Sequence, residues 1–341
     1  MAGYSTESLW TSDEAIEQLL LPYRKAIEEG LGQVKEKDKR LSEVAYEYVR
    51  GSGKLLRPTI VLLSCDAVGG SRDKAMPIAI AYELAHSASL TQDDIIDDSP
   101  TRHNRSTAHT KHGVTTAILI SDMLIFEIFE QLGRYAATEL SARKVGTIIR
   151  YVSSAAKQMA EGEYLEMQLS KSAEPSVDDY LELASLKTGA LFGAAAASGG
   201  AVGGARQSIV RDLYEFGINL GISFQMRDDI LDITGSEEEM GKPMLKDMQN
   251  NAANIVLVHA LSHANPQQKA VIRGMIARNE YGLADVVMVK KILEELGSVD
   301  YASGFCVKHA AIARARLKSL PKSGARRALE ELTLWLEGRR R

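Results

Sequence analysis

Two short runs of aspartate are the part of this sequence best suited to chemistry: Asp93-Asp94-Ile95-Ile96-Asp97-Asp98 and Asp228-Asp229-Ile230-Leu231-Asp232. Asp93 and Asp97 fall on one helix face a turn apart, and so do Asp228 and Asp232. Like charges at that spacing repel and destabilise the helix that carries them. The first run also closes its helix, where the macrodipole disfavours acid. A cation compensates both penalties. Oxygen ligands on a rigid helix suit magnesium, which takes one or two carboxylates and completes its shell with water and substrate phosphates. A solvated acidic face would explain one such run. Two matching runs, each flanked by apolar helix, point to metal.

Basic residues supply the other half of a diphosphate site. Gly53-Lys54-Leu55-Leu56-Arg57-Pro58 sets Lys54 and Arg57 three apart where a loop enters a helix, and helix N-termini favour phosphate. Arg102 and Arg105 follow the first acidic run, while Lys187 and Lys242 lie around the second. Each alone reads as a surface charge, and their meaning comes from the acidic runs beside them. His86 lies seven residues before Asp93, about two turns back on the same face, and reads equally as a core residue or a site residue. No spacing suits zinc or a Ser/His/Asp order. The glycines between Gly199 and Gly204 lack the preceding strand that a dinucleotide loop requires.

The elements that must hold these residues are helices. Apolar residues recur at helical spacing, and alanine, leucine, glutamate and lysine dominate. Ser12-Asp13-Glu14 caps a first helix with Ile16, Leu19, Leu20 and Tyr23 on its stripe. Further helices are predicted over 42–50, from Pro58 to about Gly69, and over 75–98, the last stopped by Ser99-Pro100. Others follow over 115–139, 142–170, 177–199 and 206–234, and helical patterning resumes after a polar loop at 235–249. The string Ala194 to Gly204, AAAASGGAVGG, predicts close helix–helix approach.

Composition bounds the rest. In 341 residues, 45% are hydrophobic and 25% charged, as in ordinary globular proteins. A formal net charge of −4 gives no reason to expect nucleic acid or an anionic membrane surface as partner. Cys65 and Cys306 read as buried small hydrophobes. No apolar run reaches the roughly 20 residues that span a bilayer. The N-terminus carries no apolar core of signal-peptide type, so the expected location is cytoplasmic. With no repeat or linker, one domain over 1–341 is expected.

The strings GKLLRP, ELAHSASLTQDDIIDD, KTGALFGAA, FQMRDDILD and GKPMLKD occur in one order along the chain. Together they resemble the trans-isoprenyl diphosphate synthases, which include farnesyl, geranylgeranyl and longer polyprenyl diphosphate synthases. The resemblance covers nearly the whole chain. It implies an all-α fold, an antiparallel helical bundle around a deep central cavity, usually homodimeric. It also implies a reaction in which an allylic diphosphate ionises and isopentenyl diphosphate attacks the cation.

By position, the resemblance gives Asp93, Asp97 and Asp228 to magnesium, with Asp94 and Asp232 in support and three ions in all. Arg102, Lys187 and Lys242 would contact the allylic diphosphate, and Lys54, Arg57 and His86 would bind isopentenyl diphosphate. Thr188 and Gln225 would place oxygens near the developing cation. The chain departs from the family at His103, where a second arginine is usual, and at Glu163, where glutamine is common. It departs again at Leu245 and over 250–254. Those changes leave open another prenyl acceptor, a cyclisation, or a non-catalytic subunit of a heteromeric synthase. Ala88 and Ser89, small at a level where farnesyl synthases carry aromatics, imply a product of geranylgeranyl length or longer. Tyr82 and Phe126 are candidate floors for the tail.

Overall fold

Apolar spacing becomes burial almost turn for turn. The computed structural model describes residues 13–33, 40–50, 53–102, 105–138, 140–170, 175–235, 253–276 and 282–338. Helix α1 (Asp13–Gln33) buries Ile16, Leu20, Tyr23, Ile27 and Leu31, one stripe along its length. Helices α2 (Leu41–Val49), α3 (Leu56–Ala67) and α4 (Arg72–Ile96) follow. A two-residue antiparallel ladder, β1 (Thr101–Arg102) with β2 (Arg105–Ser106), turns the chain into the short α5 (Ala108–His112). Then come α6 (Val114–Thr138), α7 (Ala142–Leu169) and α8 (Val177–Ala184). A π-turn (Ser185–Gly189) leads into α9 (Ala190–Val202) and α10 (Gln207–Thr234). The remaining helices are α11 (Ile255–His263), α12 (Pro266–Ile276), α13 (Leu283–Glu295), α14 (Ser298–Arg316) and α15 (Gly324–Gly338). The fold is all-α, as expected.

Helix α9 is the axle of the bundle. It packs on α3, α4, α7 and α10, and of its residues all but Ala201 are buried. Its small side chains have the expected cause: a Cβ on Gly199 would lie 2.2 Å from the Val61 carbonyl oxygen on α3. Two large groups of buried residues make most of the core, beside a small third group of Leu169, Leu183 and Ala253. One joins α1–α7, α9 and the first half of α10 through Leu213, Phe216 and Leu220. The other joins the second half of α10, through Ile222, Met226, Ile230 and Ile233, to α11–α14.

The helix predicted over 177–199 is interrupted. The π-turn adds a residue to the helical repeat at Ser185–Gly189, so α8 and α9 do not share one stripe. Propensity carries no sign of this, because every residue in the turn is compatible with an α-helix. The ladder β1–β2 was also unanticipated. Among the described residues no helix is long and apolar enough to cross a membrane.

Candidate active site

The first acidic run ends α4, and the chain leaves it abruptly. Asp98 adopts a left-handed backbone, φ 48°, and so does Leu55, φ 50°, inside the Gly53–Pro58 string. Among the described residues these are the non-glycine positions with positive φ. Each costs roughly 1–2 kcal/mol, and such strain gathers at functional sites. Asp98 turns the chain so that β1 returns Arg102 onto the acidic run. Arg102 Nε donates to Asp94 Oδ1 at 2.6 Å and Nη2 to Asp93 Oδ2 at 2.9 Å. Burial works against the Arg102 charge, but Asp94 and Asp93 outweigh it and hold its pKa above the ordinary value.

Lys187 reaches the same run from the π-turn. Its Nζ lies 3.1 Å from Asp93 Oδ1 and 2.9 Å from Glu163 Oε2, and it also pairs with Glu166. Burial would lower its pKa, yet Asp93, Glu166 and Glu163 together keep it firmly protonated. Solvent reaches Asp97, but partial burial and then the charge of Asp93 push its carboxyl up to about 6. Carboxylates crowded this way on one helix end suit a divalent cation with an open shell of water and phosphate. Among the described residues no group of three or more acidic, histidine or cysteine side chains could hold a metal ion by itself.

The next residue, Thr188, continues the connection. Thr188 Oγ1 donates to Gln225 Oε1 at 2.9 Å, and Gln225 Nε2 donates to Asp229 Oδ1 at 3.0 Å. Asp229 Oδ2 also accepts from the Ile255 amide at 3.2 Å. Burial pushes Asp229 up to about 7 despite these bonds. Asp228 is half-buried, and Asp232 is 2% exposed. Two consecutive residues of one π-turn thus tie the first acidic run to the second.

Arg57 opens α3 and meets α4, where its Nη1 lies 3.1 Å from His86 Nε2 and its guanidinium 4.6 Å from the Phe192 ring centre. Its pKa falls to about 10 through burial, while the charges of Glu83 and Asp228 oppose that fall. Lys54 is exposed and extends over Trp335 of α15, 5.6 Å from the ring centre. Beside this assembly, a cavity of about 260 Å³ lies on the α4 flank formed by Ser87, Leu90, Thr91 and Asp94. Ala88 is buried, and its carbonyl accepts from Ser121 Oγ of α6 at 3.2 Å. Ser89 is half-buried and Tyr82 fully buried, its hydroxyl 2.8 Å from Ser198 Oγ.

Most expected residues therefore converge, with one correction and several additions. Phe126 is 69% exposed on the outer face of α6, so it is not a floor of this chain's interior. His103 and Lys242 lie outside the described residues, as do Leu245 and residues 250–252. Glu166, Glu83 and Asp229 were missed as contributors. Glu166 was legible as the partner of Glu163 three residues earlier, and Asp229 stood inside the second run. Asn254, noted only as a departure, is the N-cap of α11: its Oδ1 accepts from Val256 at 2.9 Å, and its Nδ2 donates to the Asp229 carbonyl at 3.2 Å.

The polyprenyl synthetase family model matches residues 38–296. A geranylgeranyl diphosphate synthase of Saccharolobus solfataricus is 32% identical over 310 residues, 90% of this chain and 93% of that one. The crystal structure of geranylgeranyl pyrophosphate synthetase from Pyrococcus horikoshii superposes with a TM-score of 0.86 at 32% identity, covering 96% of this chain and 99% of that one. A Caulobacter crescentus polyprenyl synthase, solved with calcium and isoprenyl diphosphate, gives a TM-score of 0.85 at 26% identity, with 98% and 100% covered. Family match, fold and site geometry agree: this chain belongs to the polyprenyl synthetase family and is a prenyltransferase.

Proposed function

We propose that this enzyme condenses an allylic diphosphate with isopentenyl diphosphate to give a trans-prenyl diphosphate of geranylgeranyl length or longer. The connection from Asp93 through Lys187 and Thr188 to Gln225 and Asp229 carries the reading. It sets a diphosphate-binding lysine and, on the next residue, a hydroxyl bonded to the Gln225 oxygen between two acidic runs.

Asp93, Asp97 and Asp228 would hold magnesium, three ions with bound diphosphate, with Asp94 and Asp232 behind them. Bound magnesium supplies Lewis-acid stabilisation of a polyanionic leaving group. Arg102 and Lys187, now paired with Asp93, would donate to the allylic diphosphate, joined by Lys242. Arg57 and His86, already in contact, would bind isopentenyl diphosphate with Lys54 and His103. The oxygens of Thr188 and Gln225 would face the allylic carbon as positive charge develops, where fixed dipoles act without reorganisation. The second substrate's double bond then attacks that carbon, and loss of a proton completes the longer diphosphate.

The reading includes a homodimer. Val114, Ile118, Leu119, Phe126 and Phe129 expose 41–69% of their surface along α6. An apolar stripe of that kind marks an association surface.

Purified protein incubated with magnesium, isopentenyl diphosphate and allylic diphosphates of several lengths should give longer prenyl alcohols after dephosphorylation. Asp93→Ala and Asp228→Ala should each reduce turnover by about 100-fold or more, about 2.7 kcal/mol of barrier, with helical circular dichroism intact. Retention of more than about a tenth of the rate by either variant would overturn the paired-run mechanism.

A further inference from the structure

Lys187 is held by more carboxylates than a diphosphate-binding lysine needs. Its ammonium has three N–H donors and no acceptor. It donates a hydrogen bond to Glu166 and lies within ion-pair distance of Asp93 and Glu163 as well. Three negative charges on one positive charge leave this group at −2, at the place where a polyanionic substrate would bind. Asp97 adds another carboxylate close by, and Glu163 is among the charges that act on it.

The position of Glu163 is fixed by the backbone. A Cβ on the preceding Gly162 would lie 2.8 Å from the Lys187 amide nitrogen, so only glycine lets α7 come this close to the π-turn. That contact sets the Glu163 side chain beside Lys187, with 19% of it exposed. A divalent cation on Asp93 would engage its carboxylate and weaken its ion pair with Lys187. Glu163 and Glu166 would still hold the ammonium against α7. Glutamine at 163 could accept a hydrogen bond from Lys187 without the charge.

We propose that Glu163 is a positioning residue that restrains Lys187 and makes allylic diphosphate binding conditional on divalent cation. The inference rests on the diphosphate-binding role of Lys187 given above. Without cation the excess negative charge repels the substrate. With cation the charge is neutralised, and Lys187 donates from a fixed position.

The test compares wild type, Glu163→Gln and Glu163→Asp. An allylic thiodiphosphate, in which sulfur replaces the bridging oxygen, ionises too slowly to react, so its binding can be followed by calorimetry across a magnesium series. Glu163→Gln should bind it about tenfold more tightly at limiting magnesium, between the roughly fivefold effect of one unit charge about 4 Å away in bulk water and the roughly thousandfold effect at an effective dielectric constant of about 20. The difference should close as magnesium saturates, and Glu163→Asp should follow wild type. In turnover, the allylic KM of Glu163→Gln should fall and become less magnesium-dependent. Its kcat at saturating magnesium and its KM for isopentenyl diphosphate should stay within about twofold. Identical binding curves for wild type and Glu163→Gln overturn the inference. A fall in kcat with a rise in both KM values and a lower melting temperature also overturns it, in favour of a structural role. Absence of thiodiphosphate binding by every form would overturn the functional reading itself.

Discussion

At the scale of single residues, Glu83 is the carboxylate whose position carries the clearest consequence outside the reacting centre. It is 2% exposed on α4, and burial pushes it up to about 7 although the Arg57 charge pulls the other way. Its folded pKa lies above the unfolded value, so its contribution to stability is complete below about pH 4.5 and is lost as pH rises through 7. The size of the effect is roughly 3 kcal/mol across that window. Urea midpoints at pH 5 and pH 8 should differ more for wild type than for Glu83→Gln, and equal slopes would assign the pH dependence to other groups. Glu83 could not be found in the sequence, because one carboxylate in an apolar helix looks the same whether it faces water or the core. Asp93, Asp97, Asp228 and Asp232 could be found, because helical geometry converts their spacing into proximity without knowledge of the neighbours. From spacing alone Arg102 read as a charge near the run, and the resemblance gave it to the allylic diphosphate. Its hold on both Asp93 and Asp94 depends on the left-handed turn at Asp98, which no aspartate advertises.

At the scale of elements, α4 is the proposed ruler of the product. Asp93 stands near its end, and Tyr82 lies eleven residues earlier, about 16 Å away at the helical rise. Ala88 and Ser89 lie between them, and a tail growing back along α4, as proposed, would pass their level. Ser89→Tyr and Ala88→Phe, singly and together, should shorten the product while ionisation continues. Ala88→Phe should also cost about 1–3 kcal/mol of stability, because the site is already buried against α6. Products of unchanged length from both substituted forms would remove these residues from the path. Helix bounds were read from the sequence to within a few residues wherever caps and prolines punctuate the stripes, as at Ser99-Pro100. The π-turn was hidden because it arises from tertiary contact of the turn with α7 and α10, not from the preferences of Ser185–Gly189.

At the scale of the whole molecule, the exposed α6 stripe sets how copies should associate. Leu119→Asp with Phe126→Asp should convert a dimer to monomer in sedimentation velocity at micromolar concentration, with helical content retained. A monomeric wild type, or a variant that sediments as wild type does, would rule out this surface. The all-α class was plain from periodicity, since the same 3.6-residue repeat recurs from Asp13 to Gly338. The arrangement of helices was not, because α9 packs on four neighbours through glycine and alanine, whose small side chains name no partner.

The two groups of core residues are not separate bodies joined by a strap. Helix α10 passes through both without a break over 28 residues, about 42 Å. Helix α14 does the same, with Ala302 and Cys306 in one group and Ala313 in the other. Two continuous beams across the same seam make the halves stiff in bending, and the proposed reacting centre, with Gln225 and Asp229, lies one to two turns beyond that seam on α10. Hinged opening would have to buckle both helices at once. The beams thereby hold the two acidic runs, one ending α4 and the other on α10, at a constant span.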